Sequence, residues 1–248
     1  MTLNEFFAEH PRAAMGFSGG VDSAYLLYSA VQAGADVRPY FIKTPFQPAF
    51  ELADARRLAK ELGAELSVLE WDILACPEVA ANPQDRCYHC KTRLFGLLKE
   101  AAAKDGYELL LDGTNASDNA DDRPGMRALG ELGVRSPLRE CGLTKAEIRR
   151  RSKEAGLFTW DKPAYACLAT RVPTGENLTK DLLTRIEAAE DCLRSFGFSD
   201  LRVRVFHGAA RIQLPADQFA QAAIRRTEIL DGIRPWFDPV LLDMEART

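Results

Sequence analysis

Six consecutive residues near the amino terminus, Ser18-Gly19-Gly20-Val21-Asp22-Ser23, place two glycines, two hydroxyls and a carboxylate between an apolar run at 13–17 and an amphipathic run at 21–33. Where a strand turns into a helix, the N–H groups of the turn and the unpaired N–H groups of the first helical turn converge on one point and suit phosphate oxygens. The glycines let backbone approach an anion with no Cβ in the way. Ser18 and Ser23 offer hydroxyl donors, and Asp22 is a hard oxygen ligand of the kind that holds Mg²⁺. The turn lacks the Gly-Lys-Ser/Thr ending of a Walker A loop, which weakens any reading as a γ-phosphate-transfer site.

A second group of reactive residues is Cys87-Tyr88-His89-Cys90, expected just before a helix at 92–104, together with Cys167 far downstream. Three cysteines with His89 could form a zinc site. Three thiolates could equally hold a [4Fe–4S] cluster by three of its irons and leave the fourth open to an exogenous sulfide. A redox thiol pair and plain packing are the other readings. Cys76, Cys141 and Cys192 have no such neighbour and read as small packing residues. Arg202 and Arg204 alternate on an expected strand, so both side chains face one way and could clamp a phosphate or carboxylate; a solvated strand face is the alternative. Arg171 and Lys91 lie close to cysteines in sequence, where a cation favours the thiolate. Asp118, Asp121 and Asp122 form an acidic loop that is either solvated or metal-binding.

The elements that must position these groups follow from periodicity. Apolar runs at 13–17, 37–42, 65–69 and 108–112 read as strands, and amphipathic runs at 21–33, 48–62, 92–104 and 145–155 as helices, the last opened by Thr144 with Glu147 in a capping-box pattern. Strands separated by helices predict an α/β fold with a parallel sheet covered on both faces. After residue 162 the pattern changes to a loop, a helix at 179–196 and alternating strands at 201–206 and 210–214, which predicts a small α+β unit. The expected division is 1–165 and 166–248.

The 248 residues carry a formal charge of −4, which argues against the broad cationic surface that nucleic acid requires and favours a compact substrate. No apolar run approaches a membrane span and the first residues lack the pattern of a signal peptide, so the expected location is the cytoplasm, where six dispersed cysteines do not form a disulfide scaffold.

The glycine-rich hexapeptide resembles the PP-loop of the ATP pyrophosphatases, whose Rossmann-like domain grips the β and γ phosphates of ATP and leaves the α-phosphate open to attack. The likeness then narrows. Arg86-Cys87-Tyr88-His89-Cys90-Lys91, Asp112-Gly113-Thr114-Asn115, Asp122 to Ala128, Glu131-Leu132-Gly133-Val134, Ser136-Pro137-Leu138, Leu143-Thr144-Lys145 and the segment Lys162 to Arg171 together resemble the LarE family of ATP-dependent sulfur transferases.

That resemblance implies ATP and Mg²⁺ as cofactors, with Ser18, Gly19, Gly20, Val21, Asp22, Ser23 and Gly113 at the phosphates and Thr44 near adenine. It implies adenylylation of a carboxylate of pyridinium-3,5-biscarboxylic acid mononucleotide and replacement of its oxygen by sulfur. Cys167 matches the sulfur-bearing position. With Cys87 and Cys90 also present, the resemblance points to a [4Fe–4S] cluster, the alternative being Cys167 as a sacrificial donor that becomes dehydroalanine. Arg171, Arg202 and Arg204 are the implied substrate contacts, Glu190 and Asp217 follow by looser analogy, and a homo-oligomer is expected. The rival functions are an amidotransferase or NAD synthetase-like enzyme, a tRNA thiolation enzyme, and a nucleotide sensor without catalysis.

Overall fold

The computed structural model describes residues 1–118 and 124–247. In chain order the elements are α1 (Leu3–Glu9), β1 (Arg12–Gly16), α2 (Val21–Gln32), β2 (Asp36–Lys43), α3 (Ala49–Glu61), β3 (Ser67–Glu70), α4 (Pro77–Ala80), α5 (Arg86–Lys104) and β4 (Leu110–Leu111). They continue with α6 (Pro124–Glu131), α7 (Pro137–Glu140), α8 (Lys145–Glu154), α9 (Lys180–Ser195), β5 (Arg202–Phe206), β6 (Ala209–Gln213), α10 (Phe219–Ile224), α11 (Arg226–Ile233) and β7 (Val240–Leu242). Two compact units result: Met1–Asp72 with Asp85–Tyr165, and Ile73–Gln84 with Ala166–Thr248.

The first unit is built on a parallel sheet of order β3-β2-β1-β4, the α/β arrangement that the alternating runs predict. Strand β1 is central, pairing Gly16 with Tyr40 of β2 and Ala14 with Leu110 of β4. Its Ala13, Ala14 and Met15 are fully buried, as a strand covered on both faces requires. One face takes α2, whose Leu26, Leu27 and Ala30 have no exposed surface and join Phe6, Phe7 and Ile148 in one core. Burial of each leucine is worth about 1.5–3 kcal/mol, enough to dock the helix and thereby fix the turn that precedes it. Leu98 and Ala102 of α5 form a second core with Tyr40 and Leu110. Helix α8 starts with half of the expected capping box: Thr144 Oγ1 accepts from the Glu147 N–H at 3.3 Å, while the Glu147 carboxylate pairs with Arg150 and Arg151 instead.

The second unit carries a three-stranded sheet of order β5-β6-β7, antiparallel between β5 and β6 and parallel between β6 and β7. Val203, Ile212, Leu183, Ile186 and Leu193 are buried there. Asn82 explains why Ile73–Gln84 belongs with this unit: its side-chain amide donates to the Pro173 carbonyl at 2.9 Å, and its own carbonyl accepts from Gly175 N at 2.8 Å.

One expectation changes. Helix α5 begins at Arg86 rather than at 92, so Cys87 and Cys90 lie in its first two turns and not in a loop ahead of it. No proline or glycine interrupts 86–95, and a Cys-x-x-Cys spacing is also one helical turn.

Candidate active site

The turn after β1 has the geometry that its residues suggest. Gly20 caps α2 in an extended conformation, so the first N–H groups of the helix open onto the turn. The Ser23 hydroxyl donates to the Gly20 carbonyl at 3.1 Å and lies 3.2 Å from the Ser18 hydroxyl, which accepts from Gly20 N at 3.3 Å. Gly19 has φ +69°, and a Cβ there would come within 3.0 Å of Ala55 N on α3. A side chain is therefore excluded at Gly19 twice, by backbone conformation and by space. Gly113, after β4, packs as closely from the other side: a Cβ would meet Ser23 N at 3.1 Å.

These residues open onto a cavity of about 360 Å³ at the carboxyl ends of β1, β2 and β4, the place where open parallel sheets bind ligands. Ser18, Gly20, Asp22, Ser23 and Gly113 line it directly. Thr44 is buried in the turn after β2, Val21 is a core residue of α2, and Gly19 shapes the turn from behind. Tyr40, Phe41, Ile42, Leu94 and Phe95 give the cavity an apolar wall, and Lys91 and Asp118 also line it. Asp121 and Asp122 lie outside the described residues.

Asp22 faces the cavity, and burial pushes its carboxyl above the ordinary 3.8, opposed by a hydrogen bond and the charge of Lys145. Lys145 Nζ lies 2.5 Å from Asp22 Oδ2. The lysine is fixed at the start of α8, where its own N–H donates to the Ser117 hydroxyl at 3.0 Å. Lys162 approaches the same turn, 2.6 Å from Asp54 Oδ2 and 3.4 Å from the Gly19 carbonyl, and Arg149 holds that segment through the carbonyls of Trp160 and Lys162. Neither lysine was legible as a site residue from composition or spacing. The signal for Lys145 was its place one residue after a helix cap, where a side chain can reach back along the carboxyl edge of the sheet.

The cysteines divide between the units. Cys87 is exposed and Cys90 buried on one side of α5, and the Arg86 guanidinium donates toward Cys87 Sγ at 3.7 Å. His89, the fourth ligand of the zinc reading, faces Asp85 at 3.2 Å. Among the described residues no three of His, Cys, Asp or Glu are grouped so as to hold a metal ion.

In the second unit, Cys167 precedes a short 3₁₀ turn, Leu168–Arg171. Arg171 is 1% exposed: Nε donates to Glu190 Oε1 at 2.8 Å, and Nη1 donates to the carbonyls of Ala166 at 2.7 Å and Cys167 at 3.3 Å. These bonds hold the cysteine's backbone. Glu190, itself fully buried, is a counter-ion shared by Arg171 and by Arg194, whose Nη2 lies 3.0 Å from Oε2, and it also accepts from Val203 N at 3.1 Å.

Arg202 and Arg204 share one face of β5. Arg202 is buried, donating to the Leu201 carbonyl at 2.7 Å, whereas Arg204 is half-buried and donates to Gln213 Oε1 and to the Thr170 carbonyl. Burial makes Arg204 an easier guanidinium to deprotonate than usual, and Arg171, Arg211 and Arg247 push the same way. An anion arriving there would relieve that excess of positive charge. The structure thus brings Cys167, Arg171 and Arg204 together through the Ala166–Arg171 backbone.

No family model matches the chain. An uncharacterised protein of Synechocystis sp. is 40% identical over 220 residues, 88% of this chain and 82% of its own length. Pyridinium-3,5-bisthiocarboxylic acid mononucleotide synthase of Lactiplantibacillus plantarum is 36% identical over 216 residues, 86% of this chain and 78% of its own length. The tRNA-specific 2-thiouridylase MnmA of Thermotoga petrophila is 25% identical over 217 residues, 68% and 60% of the two chains. A parallel sheet with this glycine-rich turn at its carboxyl edge, shared with such relatives, defines an ATP-using sulfur transferase of the PP-loop ATP pyrophosphatase class. Within that class the chain belongs to the LarE family. No helix among the described residues is long and apolar enough to cross a membrane.

Proposed function

We propose that this chain adenylylates a carboxylate of pyridinium-3,5-biscarboxylic acid mononucleotide and replaces the activated oxygen with sulfur. The observation that carries the reading is the cavity in which Ser18, Gly20, Ser23 and Gly113 surround a helix start, beside an apolar wall of nucleotide size. A carboxylate is a poor electrophile. Attack of its oxygen on the ATP α-phosphorus expels pyrophosphate and makes that oxygen part of an AMP leaving group, which a sulfur nucleophile then displaces. The N–H groups of the turn are pre-aimed at the departing pyrophosphate, so stabilising its charge needs little reorganisation. Asp22 fits Mg²⁺: its carboxylate faces the cavity and already holds a cation, the Lys145 ammonium. Mg²⁺ bound there would neutralise the pyrophosphate charge. Arg204, with Arg202 beside it on β5, would take the substrate's phosphate or free carboxylate.

For the sulfur source, we propose a [4Fe–4S] cluster on Cys87, Cys90 and Cys167. The donor set fits: thiolates are the usual ligands of such clusters, and Cys87 and Cys90 stand one helical turn apart with Arg86 near the outer sulfur. A cluster held there would supply sulfide as the nucleophile. A second reading is favoured by Cys167 itself, whose carbonyl is held by the buried Arg171 at the start of its turn. In it, Cys167 Sγ attacks the acyl adenylate and expels AMP; removal of its Cα proton then breaks the Cβ–Sγ bond, leaving a thiocarboxylate on the substrate and dehydroalanine in the chain.

The test is anaerobic purification with iron and acid-labile sulfide measured per chain, in the native sequence and in Cys87→Ala. About four of each, lost in the variant, support the cluster. Absence of iron after reconstitution, with loss of one hydrogen sulfide mass from Cys167 during turnover, establishes the sacrificial route. Pyrophosphate release that depends on the mononucleotide tests the activity itself. The net charge of −4 supports a small substrate over tRNA, and tRNA binding at low salt would overturn that choice.

A further inference from the structure

The turn after β2 carries a side chain whose hydrogen bonding fixes which way it points. Gln47 N donates to the Thr44 carbonyl at 3.3 Å, and the Gln47 carboxamide folds back so that Oε1 accepts from Thr44 N at 2.9 Å and from Thr44 Oγ1 at 2.7 Å. The orientation of a glutamine amide is set by its partners, and here the partner decides it: a backbone N–H can only donate, so the atom facing it is the oxygen. Thr44 Oγ1 itself accepts from Phe46 N at 3.1 Å, so its own hydrogen is directed at Oε1. Lys43 Nζ holds the Gln47 carbonyl from the other side. With Oε1 filled twice, Nε2 is turned away from Thr44, and among the described residues it has no hydrogen-bond partner.

Gln47 is half-buried and lines the cavity that the phosphate turn opens onto, as do Ile42, Leu94 and Phe95. Apolar walls with one fixed donor suit a flat heteroaromatic ring that presents an acceptor nitrogen. Adenine has three such nitrogens.

We propose that Gln47 is the base-specificity residue of this enzyme, its Nε2 donating to one ring nitrogen of adenine. The assignment rests on the reading of the cavity as the ATP site. Thr44 is then a positioning residue, acting through the glutamine rather than on the base.

The experiment is calorimetric titration of the full chain with ATP and with its 1-deaza, 3-deaza and 7-deaza analogues, in the native sequence and in Gln47→Glu. The glutamate can still accept from Thr44 but offers no donor, and thermal melting confirms that the variant is folded. In the native chain one analogue is expected to bind about five- to tenfold more weakly than ATP, the loss of one neutral hydrogen bond. In Gln47→Glu that gap closes and ATP itself weakens by at least the same factor. Equal binding of ATP and all three analogues to the native chain, or a gap that persists in Gln47→Glu, overturns the role of Gln47 while leaving the ATP site standing. No binding of ATP by the native chain removes the ATP reading and this inference with it.

Discussion

Lys145 and Asp22, 123 residues apart in sequence, meet at 2.5 Å on the edge of the phosphate turn. The carboxylate is placed where burial disfavours its charge, and the ammonium offsets that cost until a metal or phosphate arrives. Lys145→Ala should therefore leave the fold intact and lower the rate of ATP-dependent pyrophosphate release by about tenfold or more, the scale of losing one charged transition-state contact. An unchanged rate would reduce the pair to a surface ion pair, consistent with its partial exposure.

Gly113 offers a steric test of the same site. Its Cβ position lies 3.1 Å from Ser23 N, against backbone that cannot swing aside. Gly113→Ala should displace the start of α2 by a few tenths of an ångström, costing about 1–3 kcal/mol in overpacking. ATP affinity should fall more than thermal stability does. Normal affinity, measured by calorimetry, would show that α2 has room to move.

Arg171 should matter first to stability. It forms an ion pair with Glu190 in which neither side chain is exposed, but Arg194 also reaches Glu190 at 3.0 Å, so removing Arg171 should cost less than the about 3–5 kcal/mol typical of leaving a buried charge unpaired. Arg171→Ala should lower the urea midpoint of unfolding accordingly. A variant of native stability with a raised KM would instead return Arg171 to the role of a substrate contact.

Glu140 gives a pH dependence with a definite sign. The Arg135 hydrogen bond holds its carboxyl below the ordinary 4.5, against a smaller opposing effect of burial. The folded state thus binds this proton less readily than the unfolded state. The stabilisation is complete above the ordinary value and is lost as pH falls through the lowered one. Glu140→Gln should melt below the native chain at neutral pH, by under about 1 kcal/mol for so exposed a pair, and the difference should disappear in strong acid. A difference that persists there would mean packing, not charge, is responsible.

The elements that repeat locally were readable from the chain itself. Strands β1, β2 and β3, helices α2, α3, α8 and α9, and the turn Ser18–Ser23 all declare themselves through residues within one or two turns of each other, because periodicity, capping and glycine conformation are short-range physics. Even so, α5 begins six residues earlier than the pattern suggested, since a one-turn cysteine spacing suits a helix as well as a loop.

What only the tertiary structure decided is which distant side chains share a site, and in what state. Lys145 reaches Asp22, Gly113 closes on Ser23, and Gln47 lines the same cavity only because the parallel sheet brings the loops after β1, β2 and β4 to one edge. Arg171 is equally instructive: sequence places a cation near Cys167, and only the structure shows that it is buried against Glu190 and hydrogen-bonded to the cysteine's backbone. The identity of a charged residue fixes what it can do; the groups packed around it fix what it does, because desolvation and the nearest partner outweigh intrinsic preference.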